Sequence, residues 1–590
     1  MKKLLRGLPW VAAAALVLAG IAGAQADSRV TIGSPSSPFA QNKQNEPAVA
    51  VNPNNPSIAA AGVNEEIDLE ACNNRADTTC PFTGGVGTSG IYFSDTSGAS
   101  WQQPTYTGWT ARDCLGLVGT SSAPADNCDP HVGPIGTLPR YYESGLVSDG
   151  DPAVGFGPQR GSNGTFAWSN GWRLYYANLT ANFSALRSEA TFKGFEAIGV
   201  SRLDSQNYAA AKAGVNNAWM APVIVSKQNS ALFSDHEMVA VDDASSSPFF
   251  GNVYVCDAAF RSQEKGGLPE PIVVNSSSDG GDTWITRQVS QAQNNGTIGG
   301  RQDCAVNTDS DGTLYVFWDG TDPRTRTDAI FMIKSFDGGK TFVRPATVVT
   351  HFETTGLRDP ESGDLTFDGV TGARDGSFPT VDIANGAPTG ADATDEIVLG
   401  WAEGPTPSDT NPGPNEQVRV LWSTNGGRSW NSGGVASPPS NRPDFPAIAI
   451  SPNGADAYVT YMNFHQPWQS TNAAPRMFQG IVRHADVFGS GAIGPWGPLH
   501  TGVDGDARGS SANALTDEFL GDYDYAFATR LGVTAVWNDA RNAADCPAID
   551  AYRQSFVGGP PAPRPAPNND CPATFGNTDI YGGFFADPTP

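Results

Sequence analysis

"SSSDGGDTW", residues 276–284, is polar, rich in turn formers, and ends in one large aromatic. Close copies follow as "KSFDGGKTF" at 334–342 and "WSTNGGRSW" at 422–430, and "SDTSGASW" at 94–101 is a worn fourth. The shared pattern is Ser-x-Asp-x-Gly-x-Ser/Thr-Trp/Phe. An Asp in such a turn can accept backbone N–H bonds from its own loop. Glycine supplies a positive φ that other residues avoid. The hydroxyls can close the loop, and the aromatic can sink between sheets. Ser277, Asp279, Gly281, Thr283 and Trp284 match in full, as do Ser335, Asp337, Gly339, Thr341 and Phe342. In the third copy Asn425 replaces the Asp, and in the worn copy Thr96 does.

A longer repeat contains these loops. Short apolar segments with polar heads recur as "EPAVAVN" (46–52), "DPAVGFG" (151–157), "HEMVAVD" (236–242), "QDCAVNT" (302–308), "SFPTVDI" (377–383), "DFPAIAI" (444–450) and "GDYDYAF" (521–527). Each is followed by a second β-branched or aromatic run, such as "TLYVFWDG" (313–320) or "AYVTYMNF" (457–464). Turn residues such as "NPNNP" (52–56) separate the two. The heads stand 66 to 105 residues apart, too far for one hairpin and right for a four-stranded sheet with long loops. Seven such sheets around an axis make an all-β propeller; six do if one unit is an insertion. Each acidic loop follows the second run of its unit, where a hairpin would join third and fourth strands. "RVTIGS" (29–34) is expected to pair with "TDIYGGFF" (578–585) and close the ring.

The loop pattern is that of the Asp-box, or BNR repeat, and the chain resembles the sialidase-like propeller superfamily. The resemblance implies that the boxes lie on the rim away from the active site and are structural. It also implies a secreted sialidase-like propeller, an exo-glycosidase acting on extracellular glycans. The other reading is a non-catalytic propeller that binds glycan or protein at the same axial face.

The rest of the composition suits an exported protein. Lys2, Lys3 and Arg6 precede an apolar run from Leu8 to Ala22 and a small-residue site at Ala24–Ala26, so residues 1–26 read as a signal peptide and 27–590 as one propeller domain. The formal charge is −25, and three units more negative without that leader. Such a chain repels nucleic acid and anionic membranes. No second apolar stretch is long enough to cross a bilayer, and the chain reads as a monomer. Eight cysteines fall into neighbouring pairs, Cys72 with Cys80, Cys114 with Cys128, Cys256 with Cys304 and Cys546 with Cys571, read as four disulfides whose connectivity spacing alone leaves open.

The segment heads are the candidate site, because inner-strand ends converge on a propeller's axis and ligand sites are concave with a few polar groups. They offer Glu46, Asp151, Asp235, His236, Glu237, Asp303, Asp444 and Asp522. As strand caps these residues would be merely structural. A ring of carboxylates raises its own pKa values, so it calls for Ca²⁺ or arginine partners, with no cofactor required otherwise. "DSDG" (309–312) has a faint calcium-loop look but reads better as a hairpin turn. The resemblance implies three arginines for a sugar carboxylate, a Tyr–Glu nucleophile pair and an Asp acid/base. Arg301 and Arg442 stand two residues before Asp303 and Asp444, and Arg374 is close to that register. Tyr523 with Glu518 is the candidate nucleophile pair, and Asp151 the acid/base. The family's Phe/Tyr-Arg-Ile-Pro motif is absent, which leaves its first arginine unassigned. The six histidines show no tight ligand spacing, so a His-based zinc site is not expected.

Overall fold

The computed structural model describes residues 26–590, apart from 33–42, 70–82, 113–129, 184–190, 227–232, 262–268, 293–300, 359–364, 368–371, 405–415, 467–470 and 512–514. Residues 1–25 lie outside it, as do Cys72, Cys80, Cys114 and Cys128.

The strands form seven blades, each an antiparallel meander running from the axis outward. The innermost strands are Gln44–Val51, Ala153–Arg160, Phe233–Val241, Arg301–Thr308, Thr380–Ile383, Arg442–Ile450 and Tyr525–Thr529. Each touches the next, and the seventh touches the first, so the ring is closed. All seven predicted heads fall near the start of an innermost strand. Both faces of a blade pack on neighbours, which is why these strands read as near-continuous apolar runs. Arg442–Ile450 and its partner Asp456–Phe464 are buried at every position. Trp318 and Trp537 are among the largest wholly buried side chains.

Blade 7 is closed by chain from the other end of the sequence. Its strands Tyr525–Thr529, Gly532–Asp539 and Asp579–Ala586 are completed by Ser28–Arg29, with Ser28 opposite Gly582 and Arg29 opposite Tyr581. The Val30 N–H donates to the Ile580 carbonyl at 2.8 Å. The expected ring closure is therefore present. Two disulfides are described. Cys256–Cys304 ties the second strand of blade 3 to the first strand of blade 4, and Cys546–Cys571 staples the excursion between the second and third strands of blade 7. That excursion holds a helix, Pro547–Phe556, which strand periodicity does not foretell. The Pro-rich run after it is irregular until one helical turn, Pro567–Asp570.

The four acidic loops close alike. Ser277 Oγ accepts from the Gly281 N–H at 2.9 Å, and Asp279 takes the Thr283 N–H at 3.0 Å and the Thr283 hydroxyl at 2.6 Å. Ser335–Thr341 repeats these bonds; in Ser423–Ser429 Asn425 accepts the Ser429 N–H likewise, but its amide donates to the Ser429 hydroxyl at 2.7 Å. Even the worn copy keeps Gly98 N–H on Ser94 Oγ at 2.9 Å. Each loop starts at the C-terminal end of a third strand. Third strands run parallel to first strands, so the loops lie on the face opposite the segment heads. "DSDG" is a hairpin turn, with the Thr313 N–H on Asp309 Oδ1 at 2.7 Å.

Candidate functional site

The inner strands do not begin straight. A register shift interrupts pairing between Asn45 and Ala48, Asp235 and Met238, Gln302 and Ala305, and Asp444 and Ala447. At this point of five blades a non-glycine residue takes positive φ: Glu46 (53°), Asp151 (47°), His236 (48°), Asp303 (54°) and Phe445 (47°). β-Bulges of this kind re-aim side chains. Two are held by asparagines at the ends of second strands. Asn538 of blade 7 accepts the Glu46 N–H, and Asn64 of blade 1 accepts the Asp151 N–H, both at 2.8 Å. Sequence reasoning passed over these asparagines, although both stand near the polar end of a second run.

The bulges bring most of the predicted residues together at the axis. Arg374 Nη2 lies 2.8 Å from Asp522 Oδ2 and 4.0 Å from Glu46 Oε1. Its guanidinium also covers the Phe519 ring at 4.8 Å. Asn64 Nδ2 donates to Glu46 Oε2, and the Glu46 carboxyl is within hydrogen-bonding reach of Asp151. His236 pairs through Nδ1 with Asp303. Its ring stands 4.9 Å from that of Tyr523 and 5.7 Å from that of Phe378. Asp235 accepts from Gln302 Nε2 at 3.3 Å. Neither oxygen of the buried Glu237 has a hydrogen-bond partner among the described residues.

Burial and crowding set the protonation states. Burial raises Glu46 well above the ordinary carboxylate range; Asp151 and Asp522 add to the rise, and Arg374 opposes it. Glu237 is raised in the same way, by burial first and then by Asp151. Burial alone would lower His236, but Asp303, Asp151 and Asp235 outweigh it and lift the imidazole to about 9. The Tyr523 phenol is pushed well up by burial, with Asp151 and Glu46 adding. The axis thus holds two carboxyls pushed up by burial, Glu46 and Glu237, beside two cations, His236 and Arg374.

Other predicted residues do not join this group. Arg442 is 2% exposed and forks onto Glu416, with Nε to Oε2 at 2.9 Å and Nη2 to Oε1 at 3.1 Å; Nη1 donates to the Gln466 carbonyl. A guanidinium spent on a buried carboxylate is not an anion clamp. Asp444, two residues along, shares a hydrogen bond with Asp375 and is raised well above the carboxylate range by burial and by that neighbour. Glu518 does not partner Tyr523. It lies fully buried against Arg476 at 2.9 Å and Arg553 at 3.9 Å. Arg301 opens the inner strand of blade 4 opposite Gly320, and its side chain is outside the described residues. A cavity of about 410 Å³ follows the axis on the opposite, turn side of the acid group, lined by apolar residues such as Val154, Phe156, Met238 and Ile448.

No protein-family model matches the chain, and no curated protein matches it. Solved structures do. A Hadza microbial sialidase is similar at 13% identity over 81% of this chain and 73% of its own, with a TM-score of 0.36. The Trypanosoma rangeli sialidase in complex with sialic acid is similar at 12% over 88% and 73%, with a TM-score of 0.37. The α-L-arabinofuranosidase of Fusarium graminearum is similar at 12% over 75% and 94%, with a TM-score of 0.35. The seven-bladed arrangement itself rests on the strand pairing above.

Proposed function

We propose that the chain is a secreted glycoside hydrolase whose site is the axial acid group, acting on the terminal sugar of extracellular glycans. One observation carries this reading: Glu46, its carboxyl pushed well above the ordinary range by burial, faces Asp151 and lies 4.0 Å from Arg374. Glycoside cleavage needs a carboxylic acid beside the glycosidic oxygen and a second carboxylate at the same sugar. Glu46 carries the proton for the leaving oxygen; Asp151, within hydrogen-bonding reach of it, is too close to be the opposing carboxylate and positions that acid instead. Arg374 with Asp522, and His236 with Asp303, orient the sugar. Arg374 and His236 are each paired with a carboxylate, so they offer a sugar hydrogen-bond donors rather than a free anion clamp, and anionic and neutral terminal sugars are both to be tried. Tyr523 is a poor nucleophile here, since its carboxylate neighbours oppose the phenolate. The two disulfides suit an extracellular protein.

The second reading, a glycan-binding propeller without turnover, is favoured by the withdrawal of Arg442 and Glu518 from the axis. Fluorogenic sialosides and L-arabinofuranosides, with and without Ca²⁺, separate the two. Hydrolysis that drops by about a hundredfold or more in Glu46→Gln supports the enzyme. Binding without hydrolysis in the wild type leaves the lectin-like reading.

A further inference from the structure

Blade 6 carries a second cluster, on the rim opposite the axial mouth. Its second and third strands pair Asp456 with Asp486 and Tyr458 with His484. Residues two apart on paired strands share a sheet face, so these four side chains form a square. The segment after the last strand of blade 7 brings Asp587 onto it. Three carboxylate oxygens then surround one nitrogen. His484 Nε2 is 3.0 Å from Asp456 Oδ1, 3.7 Å from Asp587 Oδ1 and 4.0 Å from Asp486 Oδ1.

Equivalent corners of the ring show what is unusual. In blade 2 the residue paired with Tyr175 is Arg202, which donates to the Gly281 carbonyl of the next blade's loop at 3.0 Å. In blade 4 the residue paired with Tyr315 is Lys334, which donates to the Gly426 carbonyl. These two corners meet the incoming loop with a permanent cation, whereas in blade 3 the residue paired with Tyr254 is Ser276. In blade 6 the incoming segment brings a carboxylate, and the residue at the cation's place is a histidine. One imidazole cannot balance three carboxylates, and Thr589, whose hydroxyl lies within hydrogen-bonding distance of Asp486 and Asp587, brings no charge. Among the described residues, His484 is the ion-pair partner of all three. A further observation points inward: the Tyr458 side chain is wholly buried, and its hydroxyl has no hydrogen-bond partner among the described residues. Its electrostatic neighbours are Asp456, Asp587 and Asp486.

We propose that this corner binds a divalent transition-metal ion of the Zn²⁺ class through His484, Asp456 and Asp486, whose donor atoms all lie within 4.8 Å of one another. Ligand bonds of about 2.1 Å in a tetrahedron put donor atoms about 3.4 Å apart. The His484 separations of 3.0 Å from Asp456 and 4.0 Å from Asp486 lie either side of that value, and Asp587 stands beside the set at 3.7 Å. Mixed imidazole and carboxylate donors suit Zn²⁺ better than Ca²⁺, which takes oxygen alone.

The test is Zn²⁺ binding by the purified protein, measured by calorimetry and by metal content after desalting. The expected result is one Zn²⁺ per chain in the wild type, with affinity at least about tenfold weaker in His484→Gln and in Asp486→Asn. Asp486 ends the third strand with its side chain half exposed, so its substitution keeps the test valid should His484→Gln fail to fold. Equal Zn²⁺ binding in wild type and Asp486→Asn overturns the proposal. So does a site that takes Ca²⁺ in preference to Zn²⁺ at equal concentration. Hydrolysis at the axial site is a separate measurement, so failure of one proposal leaves the other standing.

Discussion

Glu46, Asp151, His236 and Asp303 each occupy a backbone conformation that costs a side-chain-bearing residue about 1–3 kcal/mol. The ring accepts this cost where the side chain is turned onto the axis. The two arginines that differ most in use should differ most when removed. Arg442→Ala strips the partner from a buried Glu416, and should lower stability by about 3–5 kcal/mol in denaturant unfolding. Arg374→Ala removes a partly exposed cation at the mouth. It should raise KM about tenfold while shifting the melting temperature little. Asp257 makes a pH prediction. Burial, aided by Asp235, lifts its carboxyl to about 7 in the fold, above the ordinary 3.8. Asp382 behaves alike at about 7 and Asp242 at about 8, burial leading in each. A folded pKa above the unfolded one gives stability that is fully present below about pH 4 and lost as pH rises through 7 to 8. Thermal melts should therefore be higher at pH 5 than at pH 8, and Asp257→Asn should shrink the difference.

Among the elements, the inner strands and the rim loops were legible in the sequence because each repeats with a fixed physical signature. An apolar run with a polar head marks the first strand, and a Ser–Asp–Gly–Thr turn marks the end of the third. Glu46, Asp151, His236 and Glu237 were found because those heads converge. The partners of Arg442 and Glu518 were not. Glu416 and Arg476 each fall just outside a strand or at its edge, where no period marks them, and Arg553 sits on an unforeseen helix. Pairing across such loops is decided by tertiary packing, which sequence offsets do not carry. The link between blades 3 and 4 offers a test at this scale. Cys256 and Cys304 are 48 residues apart. Closing a loop of that length removes about 4 kcal/mol of unfolded-chain entropy. The Cys256→Ala, Cys304→Ala protein should lose stability of that order in denaturant unfolding, with the blades otherwise intact.

At the scale of the whole molecule, the axis is crossed at the end opposite the acid group. The turn after the first strand of blade 5 reaches over the channel. Its Ala387 carbonyl accepts from Arg530 of blade 7 at 2.7 Å, Pro388 from the Ser245 N–H of blade 3 at 3.0 Å and from Trp168 of blade 2 at 3.2 Å, and Gly386 donates to Pro452 of blade 6 at 2.8 Å. The wall behind the acid group is thus shared by five blades. The ring closure has a consequence in time rather than in space. Ser28 and its partner Gly582 are separated by 554 residues. A chain made from its N-terminus exposes Ser28–Arg29 long before it supplies the strand they pair with. No intermediate that lacks Asp579–Ala586 can complete the circle, whereas Cys256–Cys304 can form as soon as blades 3 and 4 exist. Assembly is therefore a matter of waiting: blades accumulate in order, and the lock turns only once that strand has been made.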